Sequence, residues 1–168
     1  MRVNPEYSYA KTPSCRRAVE GFTLVEMLVA IAVIALIMAI AAPNFSHYNA
    51  ATQTSAASDG LVRAAAHARA LAVQSGRRTT LLINTDSTPC SGAVAWSIEQ
   101  DGEAIGCLSN ADFAKRYRGT TLSGSSVSIV YSPTGIANEQ TSDLTFSFNA
   151  GSSTTQVRIN AGGTSQVL

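Results

Sequence analysis

The sequence predicts an α+β protein, in which a long N-terminal transmembrane α-helix precedes a globular domain built on an antiparallel β-sheet. Three features support this fold class. An apolar run from Phe22 to Ala42 contains one charge, Glu26. Helical periodicity then returns between Leu61 and Ala72. After Gly76 the chain changes to short alternating or β-branched runs that are separated by turn residues.

The apolar run is long enough to cross a membrane. As a helix it would be about 31 Å long, against a hydrocarbon core of about 30 Å. Arg16 and Arg17 precede it, and the first 21 residues carry a net charge of +2 from four basic and two acidic side chains. The positive-inside rule therefore predicts a single-pass inner-membrane protein with a cytoplasmic N-terminus and a periplasmic C-terminal domain.

A cleaved signal peptide is the alternative. Ala39-Ile40-Ala41 is a small-x-small site, and cleavage there would release a soluble secreted protein that begins near Ala42. That alternative leaves Glu26 unexplained. An acid in the bilayer costs roughly 2.5–3.5 kcal/mol or more at its centre, so an intramembrane acid usually has a partner.

The three cysteines fall in different compartments on this topology. Cys15 lies in the leader, on the reducing side, whereas Cys90 and Cys107 lie in the exported part. We expect a Cys90–Cys107 disulfide, which closes a loop of about 16 residues and contributes roughly 3 kcal/mol. The alternative is two separate buried thiols. Two cysteines without a nearby histidine make a poor metal site.

The N-terminal motif resembles that of a known family. The run GFTLVEMLV from Gly21 to Val29, continuing to AAPNF at Ala41 to Phe45, resembles the N-terminus of type IV pilins and type II secretion pseudopilins. The resemblance implies the type IV pilin fold. It also implies that prepilin peptidase cleaves between Gly21 and Phe22 and that Phe22 becomes the N-methylated first residue.

The same resemblance gives Glu26 a role in assembly. In the family this carboxylate is thought to pair with the N-terminal amine of a neighbouring subunit, which would set the axial register between helices. Breaking such a buried pair can cost about 3–5 kcal/mol. The alternative is a lone acid that snorkels to the interface. Pro43 is expected to kink the helix rather than end it, because helices of the family continue past this proline.

Three segments are expected: a leader at 1–21, the transmembrane and assembly helix with its extension at 22–54, and a periplasmic domain at 55–168. Asn44 to Ser58 is polar and is compatible with either helix or linker. Ser58 or Asp59 is a plausible N-cap for the second helical stretch, and Gly76 a plausible C-cap. Arg63, His67 and Gln74 lie off its apolar stripe, so they should face water or a partner.

The C-terminal part resembles the GspH/FimT branch of the pseudopilins. The segment from Leu61 to Ala72, the Ala68-Arg69 and Arg77-Arg78 pairs, and the YSPTG turn at Tyr131 to Gly135 carry this second resemblance. Strands are expected at Thr79–Asn84, Ala93–Gln100, Val127–Tyr131, Leu144–Asn149 and Thr155–Asn160, with shorter pieces at Ala104–Cys107 and Ser165–Leu168. Asp101-Gly102 is expected to form a hairpin turn, and Trp96 to pack in the core.

The chain carries no motif for catalysis. It has no phosphate loop, metal cluster or nucleophile elbow, and His47 and His67 are isolated, so we expect no enzyme, no cofactor, no metal and no small-molecule substrate. The expected function is that of a minor pilin or pseudopilin that primes or caps a type IV pilus or type II secretion pseudopilus. Its expected partners are other pilins or pseudopilins, prepilin peptidase and the inner membrane.

A pilus-borne DNA receptor for natural transformation is the second hypothesis. Some FimT-branch proteins resemble DNA-capturing minor pilins, with arginines on the last hairpin, but this chain has Gly162 to Gln166 at that place. Candidate contacts are Lys115, Arg116, Arg118 and Arg158. DNA binding usually needs several cations on one face, and the net charge of the chain is only +1, so a solvated basic loop is favoured.

Overall fold

The structure is a computed structural model, which describes residues 21–137 and 142–168. The leader, including Cys15, lies outside the described residues, and of residues 40–44 only the helical backbone is described. The chain divides into two units, one ending at Ala39 and the other running from Ile40 to Leu168. The second unit contains both sheets and the half of the first helix that packs on them.

Helix α1 is one continuous element, Leu24–Ser75. The expected new start at Ser58 or Asp59 is therefore wrong, and so is a linker before it. Hydroxyl groups explain the difference, because Ser58 Oγ donates to the Ser55 carbonyl oxygen at 2.8 Å inside the helix. The expected helix end is confirmed: Gly76 follows the last helical residue with φ 67°, the left-handed conformation that glycine adopts at a C-cap.

The proline at position 43 lies within α1, so the helix does not end there. A kink at Pro43 stays a prediction. Judged on the described residues, no helix has the combined length and apolarity needed to cross a bilayer. The membrane-spanning role of residues 22–42 therefore also remains a prediction from sequence.

The first sheet follows α1. Its strands are β1 (Thr79–Ser87), β2 (Gly92–Gln100), β3 (Glu103–Ser109) and β5 (Val127–Tyr131), in the order β3-β2-β1-β5. All pairs are antiparallel. The hairpin turn at Asp101-Gly102 is confirmed, with both residues at positive φ (52° and 82°).

The strands of the second sheet are β4 (Thr121–Ser123), β6 (Leu144–Ala150), β7 (Ser153–Ile159) and β8 (Ser165–Val167), in the order β4-β6-β7-β8. The single sheet expected from sequence is thus two four-stranded antiparallel sheets. Helix α2 (Asn110–Arg116) connects them and was not expected, and neither was β4. Ser109 caps α2 by accepting from the Asp112 N–H at 3.1 Å, while its hydroxyl donates to the Asp112 carboxylate at 2.8 Å.

Small side chains on α1 allow the sheets to approach it closely. The expected stripe is confirmed: Leu61, Ala64, Ala65, Ala68 and Ala72 are buried and Leu71 is half-buried. Against it pack Leu81 and Ile83 of β1, Trp96 of β2 and Phe146 and Phe148 of β6, among others. The Trp96 prediction is therefore also confirmed.

Gly60 marks the closest approach. A Cβ at this position would lie 2.6 Å from the Tyr117 hydroxyl oxygen and 3.2 Å from Trp96 Cζ2. Such distances are shorter than ordinary van der Waals contacts, so a larger residue would displace the rings. The helix propensity of glycine is about 1 kcal/mol less favourable than that of alanine, but glycine allows this close contact.

The second sheet is held to α1 by a buried hydroxyl. Thr54 is fully buried, and its Oγ1 donates to the Ala51 carbonyl oxygen at 3.0 Å. The same oxygen accepts from Thr155 Oγ1 at 3.1 Å and lies 3.3 Å from Ser153 Oγ. The polar residues between Asn44 and Ser58, which resemble a linker in the sequence, thus include one that bonds α1 to the second sheet.

Tyr131, in the sequence turn shared with the GspH/FimT branch, ties the end of β5 to the last hairpin. Its hydroxyl donates to the Gly163 carbonyl oxygen at 3.0 Å. Burial raises the pKa of Tyr131 from 10.0 to about 12, and the nearby Arg69 guanidinium opposes this rise. A Cβ at Gly163 would lie 2.6 Å from the Tyr131 ring and 2.9 Å from Ala137 Cβ, which explains the glycine there.

Candidate assembly site and family

The first turn of α1 is built by a capping arrangement. Thr23 precedes the helix, and its Oγ1 accepts from the Glu26 N–H at 3.2 Å. Its carbonyl oxygen accepts from the Met27 N–H at 3.2 Å, which starts the helical ladder. The acid therefore lies in the first turn, where a negative charge is favoured by the helix dipole. The sequence reasoning missed this cap, although Thr-x-x-Glu is a readable signal for it.

The carboxylate of Glu26 makes no hydrogen bond or ion pair with any residue that the structure describes, and the side chain is exposed. Gly21 and Phe22 immediately before the cap are also exposed, Phe22 to 74%. A Cβ at Gly21 would meet no heavy atom within 4 Å. The three residues that the pilin motif singles out are thus accessible at the start of the helix.

The apolar half of α1 is exposed around its whole circumference. Leu24, Leu36 and Ile37 are 80%, 67% and 61% exposed. At 100° per residue these side chains project in three well-separated directions around the helix axis. A helix that is apolar all round is normally buried in protein or lipid.

The disulfide is present between Cys90 and Cys107, with a Cα–Cα distance of 5.9 Å. It joins the tip of the β1–β2 hairpin to β3 at the position opposite Ser97. Ser87 at the end of β1 donates a short hydrogen bond to the Glu99 carboxylate, and Ser97 donates to the same oxygen at 3.3 Å. The bridge and these bonds fix the hairpin tip to β2 and β3.

Two of the four candidate DNA contacts take part in ion pairs with acidic neighbours. Lys115 pairs with Asp112 at 3.7 Å, and Arg158 on β7 pairs with Asp143 at 3.8 Å. Lys115 and Arg116 lie in the last turn of α2, where cations are favoured by the helix dipole, and exposed Arg118 follows that helix. Arg158 lies on β7 of the second sheet.

No group of three or more His, Cys, Asp or Glu side chains is arranged to hold a metal ion within residues 21–137 and 142–168. The candidate site is therefore an exposed helix with one unpaired acid near its start.

Comparisons with known proteins agree with this arrangement. Residues 16–42 match the model of the prokaryotic N-terminal methylation motif, and residues 57–163 match that of the type II transport protein GspH. A crystal structure of the type IV minor pilin FimU from Pseudomonas aeruginosa (strain PAO1) superposes with a TM-score of 0.50. The match has 18% sequence identity and covers 70% of this chain and 89% of that chain.

A second crystal form of FimU from the same strain gives a TM-score of 0.48 at 16% identity, over 68% of this chain and 91% of that one. At such identities the likeness concerns the fold alone. A search of curated proteins returns no match.

The N-terminal methylation motif and the helix-then-sheet domain define a subunit of the type IV pilin class. Within that class the chain belongs to the GspH family, whose model covers more than half of it. It is a minor pilin or pseudopilin of the GspH/FimT kind.

Proposed function

We propose that the chain is made as a precursor, cleaved between Gly21 and Phe22, methylated at Phe22 and built into a filament through α1, where it primes or caps assembly. The observation that carries this proposal is the apolar surface of α1, which is exposed on every side up to Ala39. Lipid would cover this surface before assembly, and the helices of other subunits would cover it afterwards.

Glu26 supplies the polar contact in this proposal. Cleavage after Gly21 creates a positive amine four residues before it, and the carboxylate has no partner among the described residues. In an apolar environment an unpaired charge is costly, so pairing with the amine of a neighbouring subunit would favour one axial offset between helices. The proposed processing and the proposed register thus depend on one short segment.

The intact mass and N-terminal sequence of the mature protein, isolated from cells that contain prepilin peptidase, test the processing step. We expect an N-terminus at methylated Phe22. An N-terminus at Ala42 would instead establish the secreted alternative and refute filament assembly through α1.

The assembly step is tested by Glu26→Ala. We expect normal cleavage but reduced incorporation into sheared filaments, measured by immunoblot, because the buried amine loses its counter-charge. Thr23→Ala is the matched control, since it removes only the cap, a loss of about 1 kcal/mol of helix stability. If both variants fail equally, Glu26 acts through the local helix start, and normal incorporation of Glu26→Ala would refute the register role altogether.

A further inference from the structure

A groove of about 450 Å³ lies between α1 and the edge strand β3, and we name it the α1–β3 groove. Arg63 and His67 of α1 and Arg116 of α2 line it, and no lining residue is acidic. These three side chains are exposed and make no ion pair or hydrogen bond with any residue in the described part of the chain. The lining of the groove is therefore basic.

Gly106 keeps the recess open. It lies opposite Ile98 in the β2–β3 ladder, so a side chain there would share the face of Ile98, which lines the groove. A Cβ at Gly106 would meet no heavy atom within 4 Å, and its φ is not in the left-handed region. Neither packing nor backbone conformation thus requires glycine at this position, and its lack of a side chain leaves the groove floor open.

The chemistry of the lining favours carboxylates over nucleic acid. Stacking of unpaired bases needs exposed aromatic faces, but Trp96 and Tyr117 are each only 8% exposed. The ladder beside the groove is irregular, with a register shift between Ile98 and Glu99. An irregular edge is a poor template for continuous strand addition, so affinity would come mainly from charged side chains.

We propose that the α1–β3 groove binds an acidic peptide segment of a neighbouring filament subunit, with its carboxylates on Arg63 and Arg116. The identity of that partner rests on the proposed filament function, whereas the acidic-peptide chemistry does not. The site would allow one particular subunit to be selected, because the apolar helix offers little to distinguish one pilin from another.

Binding is tested on the full-length protein in detergent with a fluorescent (Glu-Ser)5 peptide, a (Gln-Ser)5 peptide and a single-stranded oligonucleotide. We expect anisotropy to report salt-sensitive binding of the acidic peptide only. The double variant Arg63→Glu/Arg116→Glu should weaken it by about tenfold or more. The double variant Arg78→Glu/Lys115→Glu is the matched control, since it changes the net charge equally outside the groove and should retain binding.

Three results would overturn the proposal: no binding of the acidic peptide, equal loss in both double variants, or groove-dependent binding of the oligonucleotide instead. Gly106→Leu supplies an uncharged test, because a filled recess should also weaken peptide binding while Trp96 fluorescence shows a folded domain. The peptide assay needs no filament, so a failure of filament incorporation would not affect its result. The groove proposal and the filament proposal can therefore be refuted independently.

Discussion

Replacing Gly60 by alanine tests the packing of α1 most directly. The added methyl would lie 2.6 Å from the Tyr117 hydroxyl oxygen and 3.2 Å from Trp96 Cζ2. Ordinary contacts of a carbon are about 3.5–4.0 Å, so the Tyr117 hydroxyl would have to move by about 0.9–1.4 Å and the Trp96 ring by about 0.3–0.8 Å. They belong to a cluster with Phe113, whose ring centroid lies 5.7 Å from that of Trp96 and 5.0 Å from that of Tyr117.

Two effects oppose each other in this variant. Alanine improves helix propensity by about 1 kcal/mol. Overpacking costs about 1–3 kcal/mol, and the disturbed ring contacts cost roughly a further 0.5–1.5 kcal/mol. Because the clash involves two rigid, buried aromatic side chains, we expect it to dominate. The free energy of unfolding of Gly60→Ala should fall by about 0.5–3.5 kcal/mol.

Trp96 is the single tryptophan and lies in the affected cluster, so its fluorescence reports urea unfolding of this domain alone. Gly106→Ala is the matched control, since its methyl meets nothing within 4 Å. Because its backbone suits alanine, this variant should leave the unfolding free energy unchanged or raise it by up to about 1 kcal/mol. A Gly60→Ala protein as stable as the wild type would refute the close-approach argument.

Two further predictions concern the cross-links of the domain. Replacing Cys90 and Cys107 together by serine should lower the unfolding free energy by about 3 kcal/mol, and reductant should then change the urea midpoint of the wild type but not of the variant. The folded protein favours the protonated form of Tyr131. The contribution of this phenol to folding stability is therefore complete below pH 10 and is lost as the pH rises through about 12. At about 1.4 kcal/mol per pKa unit, the loss of folding free energy approaches about 3 kcal/mol. The urea midpoint of Tyr131→Phe should therefore decline less steeply than that of the wild type between pH 10 and about 12. Equal slopes for the two proteins would contradict the role given to Tyr131.

Elements defined by turn residues were predictable from sequence. Asp101-Gly102 and Gly76 adopt the positive φ values that their residue types favour, and the strand from Val127 to Tyr131 has the expected bounds. Such signals are local, because they depend on the backbone preferences of one or two residues. They remain readable without knowledge of the tertiary contacts.

The two wrong helix predictions, a new helix start near Ser58 and no helix at α2, also have local causes. Ser58 resembles an N-cap, yet its hydroxyl bonds to a carbonyl within α1, so serine there is compatible with a helix interior. Helix α2 has seven residues and shows too little periodicity to be recognised, although Ser109 and Asp112 form a capping pair that could have indicated it. In both cases hydroxyl capping, rather than hydrophobic pattern, decided the structure.

The α1–β3 groove could not be predicted from the sequence, because Arg63 and Arg116 are far apart in the chain and line the same groove only after folding. Off-stripe placement of Arg63 and His67 was confirmed, but exposure alone does not identify a site. The position of Arg116 depends on its neighbour Tyr117, which packs against Trp96 and Gly60.

The close approach at Gly60 therefore does more than stabilise the core. It places α2, and with it one of the two groove arginines, beside the exposed flank of α1. The apolar start of α1 can be covered by lipid or by any similar helix, so it offers little selectivity. In the proposed filament, selection among subunits would then depend on the domain, and the basic side chains of the groove would provide it on a surface that the packing of α1 itself creates.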